Sequence, residues 1–144
     1  MLVDELGESV TITGLDHVVL VADDVDETLG WYVTVLGARV LDLAEWRRGD
    51  AEHPVLHFGS FKINVHAADG DLAPRAALAR PGTLDLCFVW SGDVDAARRQ
   101  LTEHGAAIEF GPVAQPGARG DGTSVYTRDP NGNLVELICY PDPA

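Results

Sequence analysis

Residues 15–37, LDHVVLVADDVDETLGWYVTVLG, contain the structural unit from which the fold follows. The first eight residues, 15–22, are rich in β-branched side chains and end at an acidic pair, which is typical of a strand. Asp24 and Glu27 then stand three positions apart, the spacing of a capping box that opens a helix. Apolar residues recur on one helical face, and Gly37 stands where a helix commonly ends. The segment therefore predicts a strand followed by an amphipathic helix.

A second stretch, residues 83–105 (TLDLCFVWSGDVDAARRQLTEHG), has the same layout. Twenty positions separate His17, in the first predicted strand, from Gly37, and twenty positions separate Asp85, in the later strand, from Gly105. This repeat predicts that the two halves of the chain adopt one structural unit.

Three short strands are predicted after each helix. They are placed at 39–43, 54–58 and 61–66 in the first half and at 107–110, 123–128 and 133–140 in the second. Tight turns at Gly59-Ser60 and Asn131-Gly132 join the last two strands of each half, and the second turn is interpreted as having no further role.

The expected fold is therefore α+β, with two βαβββ modules that pair into a curled mixed sheet around a central cavity. Neither module could bury its sheet alone, so we expect them to form a single domain. The predicted boundaries are an N-terminal extension at 1–12 and a domain at 13–141, divided into modules at about 13–68 and 83–141 and a connector at 69–82.

The composition indicates a soluble, acidic domain. Of 144 residues, 10 are Lys or Arg and 23 are Asp or Glu, which gives a formal charge of −13. This excess argues against nucleic acid or an anionic membrane as a partner, and no apolar run approaches the roughly 20 residues of a membrane span. Cys87 and Cys139 lie in apolar segments without ligand-type spacing. They are predicted to be buried free thiols in a reducing, cytoplasmic compartment.

Strand alternation divides the side chains between two faces. The apolar set in each strand is expected to pack on the helices, and the other set contains two carboxylates and several imidazoles. Such a polar, concave surface commonly binds a ligand. The predicted polar set is His17, Asn64, His66, Asp85 and Glu136, joined on neighbouring strands by His57, Lys62, Ser124, Tyr126 and Arg128.

Two members of this set have alternative interpretations. Asp85 could pair with Arg128 or with Lys62, the only lysine of the chain, instead of binding a ligand. Arg128 could hold a substrate carboxylate or form a salt bridge beside the hairpin. His57 and His66 are expected to line the cavity.

Three motifs together resemble the vicinal oxygen chelate superfamily, which includes glyoxalase I, extradiol dioxygenases, and fosfomycin- and bleomycin-resistance proteins. They are Leu-Asp-His-Val-Val-Leu-Val at 15–21, Trp-Tyr-x3-Leu-Gly at 31–37, and Tyr-Thr-Arg-Asp-Pro-Asn-Gly-Asn-Leu-Val-Glu-Leu at 126–137. Further motifs are similar to the glyoxalase-domain-containing protein 5 subgroup and its bacterial virulence-associated relatives. They are Phe-Gly-x3-Ile-Asn-Val-His at 58–66, Pro-Gly-Thr-Leu-Asp-Leu-Cys at 81–87, and Gly-Pro-Val-x3-Gly-Ala-Arg-Gly at 111–120.

The resemblance implies a divalent metal held by residues of the first, fourth, fifth and eighth strands. Carried over position by position, these residues are His17, Asn64, Asp85 and Glu136. Asn64 stands where glyoxalase I often has Glu, and Asp85 stands where the family usually has His, so the family site could also have been lost. His66 lies two residues beyond Asn64 and could replace it. The oxygen-rich set favours Mn, Fe, Zn, Ni or Mg over soft metals.

The resemblance therefore implies a metal-dependent enzyme acting on a small oxygenated molecule, with glyoxalase-type isomerisation or ring-cleaving dioxygenation as its chemistry. Glu136 would be a metal ligand and a proton shuttle, and Asn64, Ser124, Tyr126, Arg128 and His57 would contact the substrate. The alternative is a non-catalytic protein that binds a drug or metabolite. Substrate choice is assigned to loops at 44–53, 69–81 and 114–122. A homodimer is expected, because relatives pair their sheets.

Overall fold

The computed structural model describes residues 11–141, so most of the predicted extension at 1–12 lies outside the described residues. The first module contains a strand, a helix and three further strands, with a short helix inserted among them. Its elements are β1 His17–Ala22, α1 Val25–Leu36, β2 Arg39–Leu41, α2 Leu43–Arg48, β3 Val55–His57 and β4 Lys62–Ala67. The second module has β5 Asp85–Trp90, α3 Val94–Glu103, β6 Phe110–Gly117, β7 Gly120–Arg128 and β8 Leu134–Cys139.

Each module forms a four-stranded mixed sheet, and the two sheets have equivalent strand orders. The first sheet runs β1-β4-β3-β2 and the second runs β5-β8-β7-β6. In both sheets the first and last strands of the module pair in parallel, and the remaining neighbours are antiparallel. The predicted α+β fold of two repeated modules is confirmed at this level.

The two long helices begin where the capping residues predict. Asp24 accepts a hydrogen bond from the Glu27 amide at 3.0 Å, and Asp93 accepts one from the Ala96 amide at 2.8 Å. Each such cap contributes about 1 kcal/mol. Helix α1 ends at Gly37, whose φ of 73° is the left-handed conformation that glycine adopts without strain.

Each sheet is covered by its helix on one face only. Helix α1 contributes Leu29 and the fully buried Tyr32 to a core with β-strand residues that include Leu20 and Ile63. The equivalent core of the second module contains Ala97 and Leu101 of α3 with Val125 and Leu137. The opposite face of each sheet, here called the helix-free face, therefore holds the polar set predicted from strand alternation.

A buried polar network joins the modules. The Tyr32 hydroxyl donates to the Asp129 carboxylate at 2.7 Å, and Asn133 donates to the same carboxylate at 2.8 Å. Asn131 donates to Thr28 of α1 at 3.0 Å. The hairpin that contains Asn131-Gly132 is thus also a contact between the modules, so its interpretation as a turn with no further role is wrong.

Three local predictions differ from the structure: the strand at 107–110, where β6 begins only at Phe110, and the loops at 44–53 and 114–122. Residues 114–122, expected to form a loop, belong largely to the β6–β7 hairpin. Strand β6 contains Pro112 and Pro116, which are tolerated because β6 lies at the sheet edge, where a missing amide donor costs little. Helix α2, Leu43–Arg48, begins one residue before a second predicted loop, 44–53, and occupies its first half.

Cys87 is exposed instead of buried, because its position in β5 points to the helix-free face, whereas Cys139 is buried as expected. Within residues 11–141 the structure contains no helix long and apolar enough to cross a membrane.

Candidate functional site

Glu136 lies at the centre of a row of side chains across the helix-free face of the second sheet. In the strand register it stands opposite Cys87 on β5 and Tyr126 on β7, and directly opposed residues share a face. The fully buried Ser124 hydroxyl, from the adjacent row, donates to Glu136 Oε2 at 2.5 Å. Three of the predicted site residues are therefore brought together.

The Glu136 carboxylate disfavours negative charge on both of its row neighbours. Burial of the thiol, followed by the nearby Glu136 carboxylate, raises the pKa of Cys87 to about 12. Burial and then Glu136 also raise the pKa of Tyr126, while Gln115 acts in the opposite direction. At neutral pH both side chains are consequently hydrogen-bond donors beside a carboxylate.

Asp85 lies in the next row along the same face. It stands opposite Leu134, which in turn stands opposite Arg128. Arg128 donates to both Glu109 carboxylate oxygens, at 3.0 and 3.1 Å, and to the Gly132 carbonyl. The salt-bridge alternative for Arg128 thus describes the structure, with Glu109 and not Asp85 as the partner.

The helix-free face of the first sheet carries a row of basic side chains. His17 stands opposite Lys62, Lys62 opposite His57, and His57 opposite Arg39. His17 Nδ1 lies 2.8 Å from Asp16 Oδ1. His57 Nδ1 accepts a hydrogen bond from the Gly59 amide at 3.3 Å, which leaves its Nε2 proton available as a donor.

Asn64 occupies the next row of this face, between Val19 and Val55. Its side chain is 7% exposed, and Oδ1 has no hydrogen-bond partner among the described residues. A buried acceptor without a partner costs about 1–3 kcal/mol, so its retention calls for a ligand or another explanation.

His66 lies one row further and faces a cavity of about 420 Å³ lined by Val21, the connector residue Leu78 and their neighbours. Its ring centroid is 5.1 Å from that of His53. Burial first, and then repulsion by His53, lower the pKa of His66, while Glu52 acts in the opposite direction. The neutral imidazole is therefore favoured.

The proposed metal ligands divide between the two sheets. His17 and Asn64 lie on the first sheet, and Asp85 and Glu136 on the second. Within residues 11–141 of one chain, no three His, Cys, Asp or Glu side chains are close enough to hold an ion together. A cavity of about 360 Å³ is lined by His17 of the first sheet and by Cys87, which stands opposite Glu136 on the second.

Two residues of these rows were absent from the sequence-based set. Cys87 shares its alternation with Asp85, so that pattern could have placed it on the site face. Arg39 lies on a three-residue strand, too short for alternation to define a face.

Comparison with known proteins gives a consistent result. The profile of the Glyoxalase/Bleomycin resistance protein/Dioxygenase superfamily matches residues 14–137. Glyoxalase domain-containing protein RDO1 of Mycosarcoma maydis is 39% identical over 132 residues, which covers 92% of this chain and 71% of RDO1. Virulence protein STM3117 of Salmonella typhimurium is 36% identical over 129 residues, 90% of this chain and 85% of that protein.

The solved structure of STM3117 superposes with a TM-score of 0.83 at 34% identity, over 92% of this chain and 100% of that one. A more distant relative in fold is a mutant of the fosfomycin resistance protein FosX from Listeria monocytogenes, solved with Mn(II) and 1S,2S-dihydroxypropylphosphonic acid. Its TM-score is 0.59 at 19% identity, with 89% of this chain and 90% of FosX covered.

Proposed function

The chain belongs to the Glyoxalase/Bleomycin resistance protein/Dioxygenase superfamily, and from this premise we propose that it is a metal-dependent enzyme acting on a small oxygenated molecule. The metal centre would be completed by two copies of the chain. The observations that carry this proposal are the placement of His17 and Asn64 on the helix-free face of one sheet and of Asp85 and Glu136 on that of the equivalent sheet, and the buried Asn64 oxygen that has no partner among the described residues.

The chemistry of the donors fits a divalent ion. His17 offers an imidazole and Asp85 and Glu136 offer carboxylates, a set suited to Mn, Fe, Zn, Ni or Mg. The carbonyl oxygen of Asn64 supports the same assignment, because it is buried without a partner in the described residues and a cation would satisfy it. His66 lies on the same face as Asn64 and is the alternative ligand.

A second copy of the chain would bring together the proposed ligands of the first sheet and those of the second. The first sheet of one copy presents His17 and Asn64, whereas the second sheet of the other copy presents Asp85 and Glu136. A dimer would bring these unlike faces against each other. Two chains related by a two-fold axis would form two such pairs, each a curled surface around a shared cavity. A homodimer is therefore part of this proposal.

A bound metal would polarise a substrate oxygen and stabilise negative charge that develops there. The residues of the chain supply the remaining chemistry. Ser124 holds one oxygen of Glu136 at 2.5 Å, so the carboxylate is oriented for proton transfer through its other oxygen. Tyr126 stays protonated beside it and can donate a hydrogen bond to the substrate. Arg128 stabilises the hairpin through Glu109 and is not assigned to the substrate.

A second candidate is a binding protein without catalysis. The observation that favours it is the roughly 420 Å³ cavity beside His66, whose wall is mainly apolar and includes Leu72, Leu78 and Leu84. Such a cavity suits retention of a small apolar molecule. In that case the polar rows would serve only to orient the ligand.

Metal binding separates these candidates. Isothermal titration of the chelator-treated protein with Mn²⁺ is expected to give one ion per chain, and His17→Ala or Glu136→Gln should abolish binding. His104→Ala and Glu103→Gln are matched controls, since both remove an exposed side chain of the same type at the end of α3, away from the donor sets. Binding that is absent in the parent protein, or unaffected by His17→Ala, would overturn the metal-dependent function.

A further inference from the structure

We propose that Arg39, His57 and Lys62 form a binding site for a doubly charged oxyanion, such as a phosphoryl or phosphonyl group, on the substrate. The inference rests on the proposed function only in treating that anion as part of the substrate. The site itself lies on one sheet of one chain and needs no metal.

The first argument is register. The three residues stand directly opposite one another on β2, β3 and β4, so their side chains emerge in one line on the helix-free face. Neighbouring strands lie about 4.8 Å apart, which places the outer two residues about 10 Å apart at the backbone. Long, flexible Arg and Lys side chains can converge across this distance on one group above His57.

The second argument is energetic. Arg39 and Lys62 stand on either side of His57 in the row, so their like charges repel each other across it. The chain has more than twice as many acidic as basic residues, yet neither Arg39 nor Lys62 has a carboxylate within ion-pair distance among the described residues. The charged row is therefore left without an internal counter-ion, although its first member on β1, His17, contacts Asp16.

Asp16 does not neutralise the site. It is exposed and lies 2.8 Å from His17, at the end of the row away from Arg39. The bond to His17 is the largest cause of the lowered pKa of Asp16, and Lys62 is the smallest. Among the described residues Asp16 is within ion-pair distance of His17 and not of Lys62.

The third argument concerns the type of anion. Arg39 and Lys62 carry two fixed positive charges, and His57 adds a neutral Nε2–H donor because its Nδ1 accepts from the Gly59 amide. Two charges and three converging donors match a tetrahedral dianion better than a singly charged planar carboxylate.

The test uses inorganic phosphate as probe, in the presence of EDTA. Phosphate added to ¹⁵N-labelled protein at pH 7.5 is expected to shift the amide signals of β2–β4, Gly59 among them. Lys62→Gln and Arg39→Gln should each weaken binding about tenfold, the effect of one lost charged contact. Arg99→Gln, at an exposed arginine on α3, is the matched control and should leave binding unchanged. Acetate should bind at least tenfold more weakly.

The site is refuted if phosphate produces no saturable shift, if both row variants bind like the parent, or if Arg99→Gln weakens binding equally. Equal affinity for acetate and phosphate would also overturn the assignment to a dianion. Arg39→Gln lies on an edge strand at an exposed position, so it keeps the test valid if Lys62→Gln misfolds. The phosphate experiment contains EDTA and therefore does not depend on a metal. If phosphate binds but Mn²⁺ does not, the metal-dependent function is refuted and the anion site stands.

Discussion

The reactivity of Cys87 gives a quantitative test of the Glu136 row. At pH 8 a thiol with a pKa of about 12 is ionised to roughly one part in ten thousand, whereas an ordinary cysteine of pKa about 8.5 is ionised to about a quarter. Thiolates of higher pKa are intrinsically more nucleophilic, which recovers roughly 40-fold. Cys87 is exposed as a residue and its thiol only partly buried, so solvent lessens the shift, and we expect alkylation about tenfold slower than that of a cysteine in the unfolded chain.

The perturbation is Glu136→Gln, which removes the negative charge opposite Cys87 but leaves the burial of its thiol. The variant should therefore accelerate alkylation several-fold without reaching the unfolded rate, because burial is the largest cause of the raised pKa. The assay is iodoacetamide labelling at pH 8, in which the Cys87 peptide is quantified by mass spectrometry, and Glu103→Gln on α3 is the control. The row geometry would be wrong if folded Cys87 reacted at the unfolded rate, or if Glu136→Gln left its rate unchanged.

Two further predictions concern stability and pH. Tyr32→Phe should lower the free energy of unfolding by about 1.5–3 kcal/mol, because it removes a buried hydrogen bond to the Asp129 carboxylate. An unchanged midpoint of urea unfolding would show that this contact between the modules is not stabilising. The pKa of His66 is lowered in the folded chain, so the unfolded chain binds more protons and the free energy of unfolding should fall as the pH drops through about 6.5. His66→Gln should lessen this loss of stability between pH 7.5 and 5.5. An identical pH dependence in the parent and the variant would contradict the prediction.

Much of the fold could be predicted because its signals are local. Asp24 and Asp93 each indicate the start of a helix, because their side chains cap its first turn. The equal spacing from each strand to the glycine at the end of the following helix indicates the two modules. Strand β6 extends from Phe110 to Gly117, well beyond the predicted end at residue 110, and its Pro112 and Pro116 are tolerated only because β6 is an edge strand. That property arises only from the tertiary arrangement.

The candidate site divides in the same way. Strand alternation was sufficient to group Glu136 with Ser124 and Tyr126, because residues on adjacent strands of one sheet are set by register. It could not reveal that Arg128 binds Glu109, since this pairing depends on the path of residues between α3 and β6. Nor could alternation reveal that the proposed ligands of the two sheets lie apart within one chain.

The central claim, a metal centre built from two chains, is tested most directly by a mixed dimer of His17→Ala and Glu136→Gln. The two variants carry different tags, are co-expressed, and are purified as the heterodimer. Each variant lacks a ligand from a different half of the centre. Two-fold symmetry predicts that one of the two centres regains both intact halves, so the heterodimer should bind about one Mn²⁺ while either variant alone binds none. A centre formed within each chain would be damaged in both subunits, and a heterodimer that binds no Mn²⁺ would contradict the account.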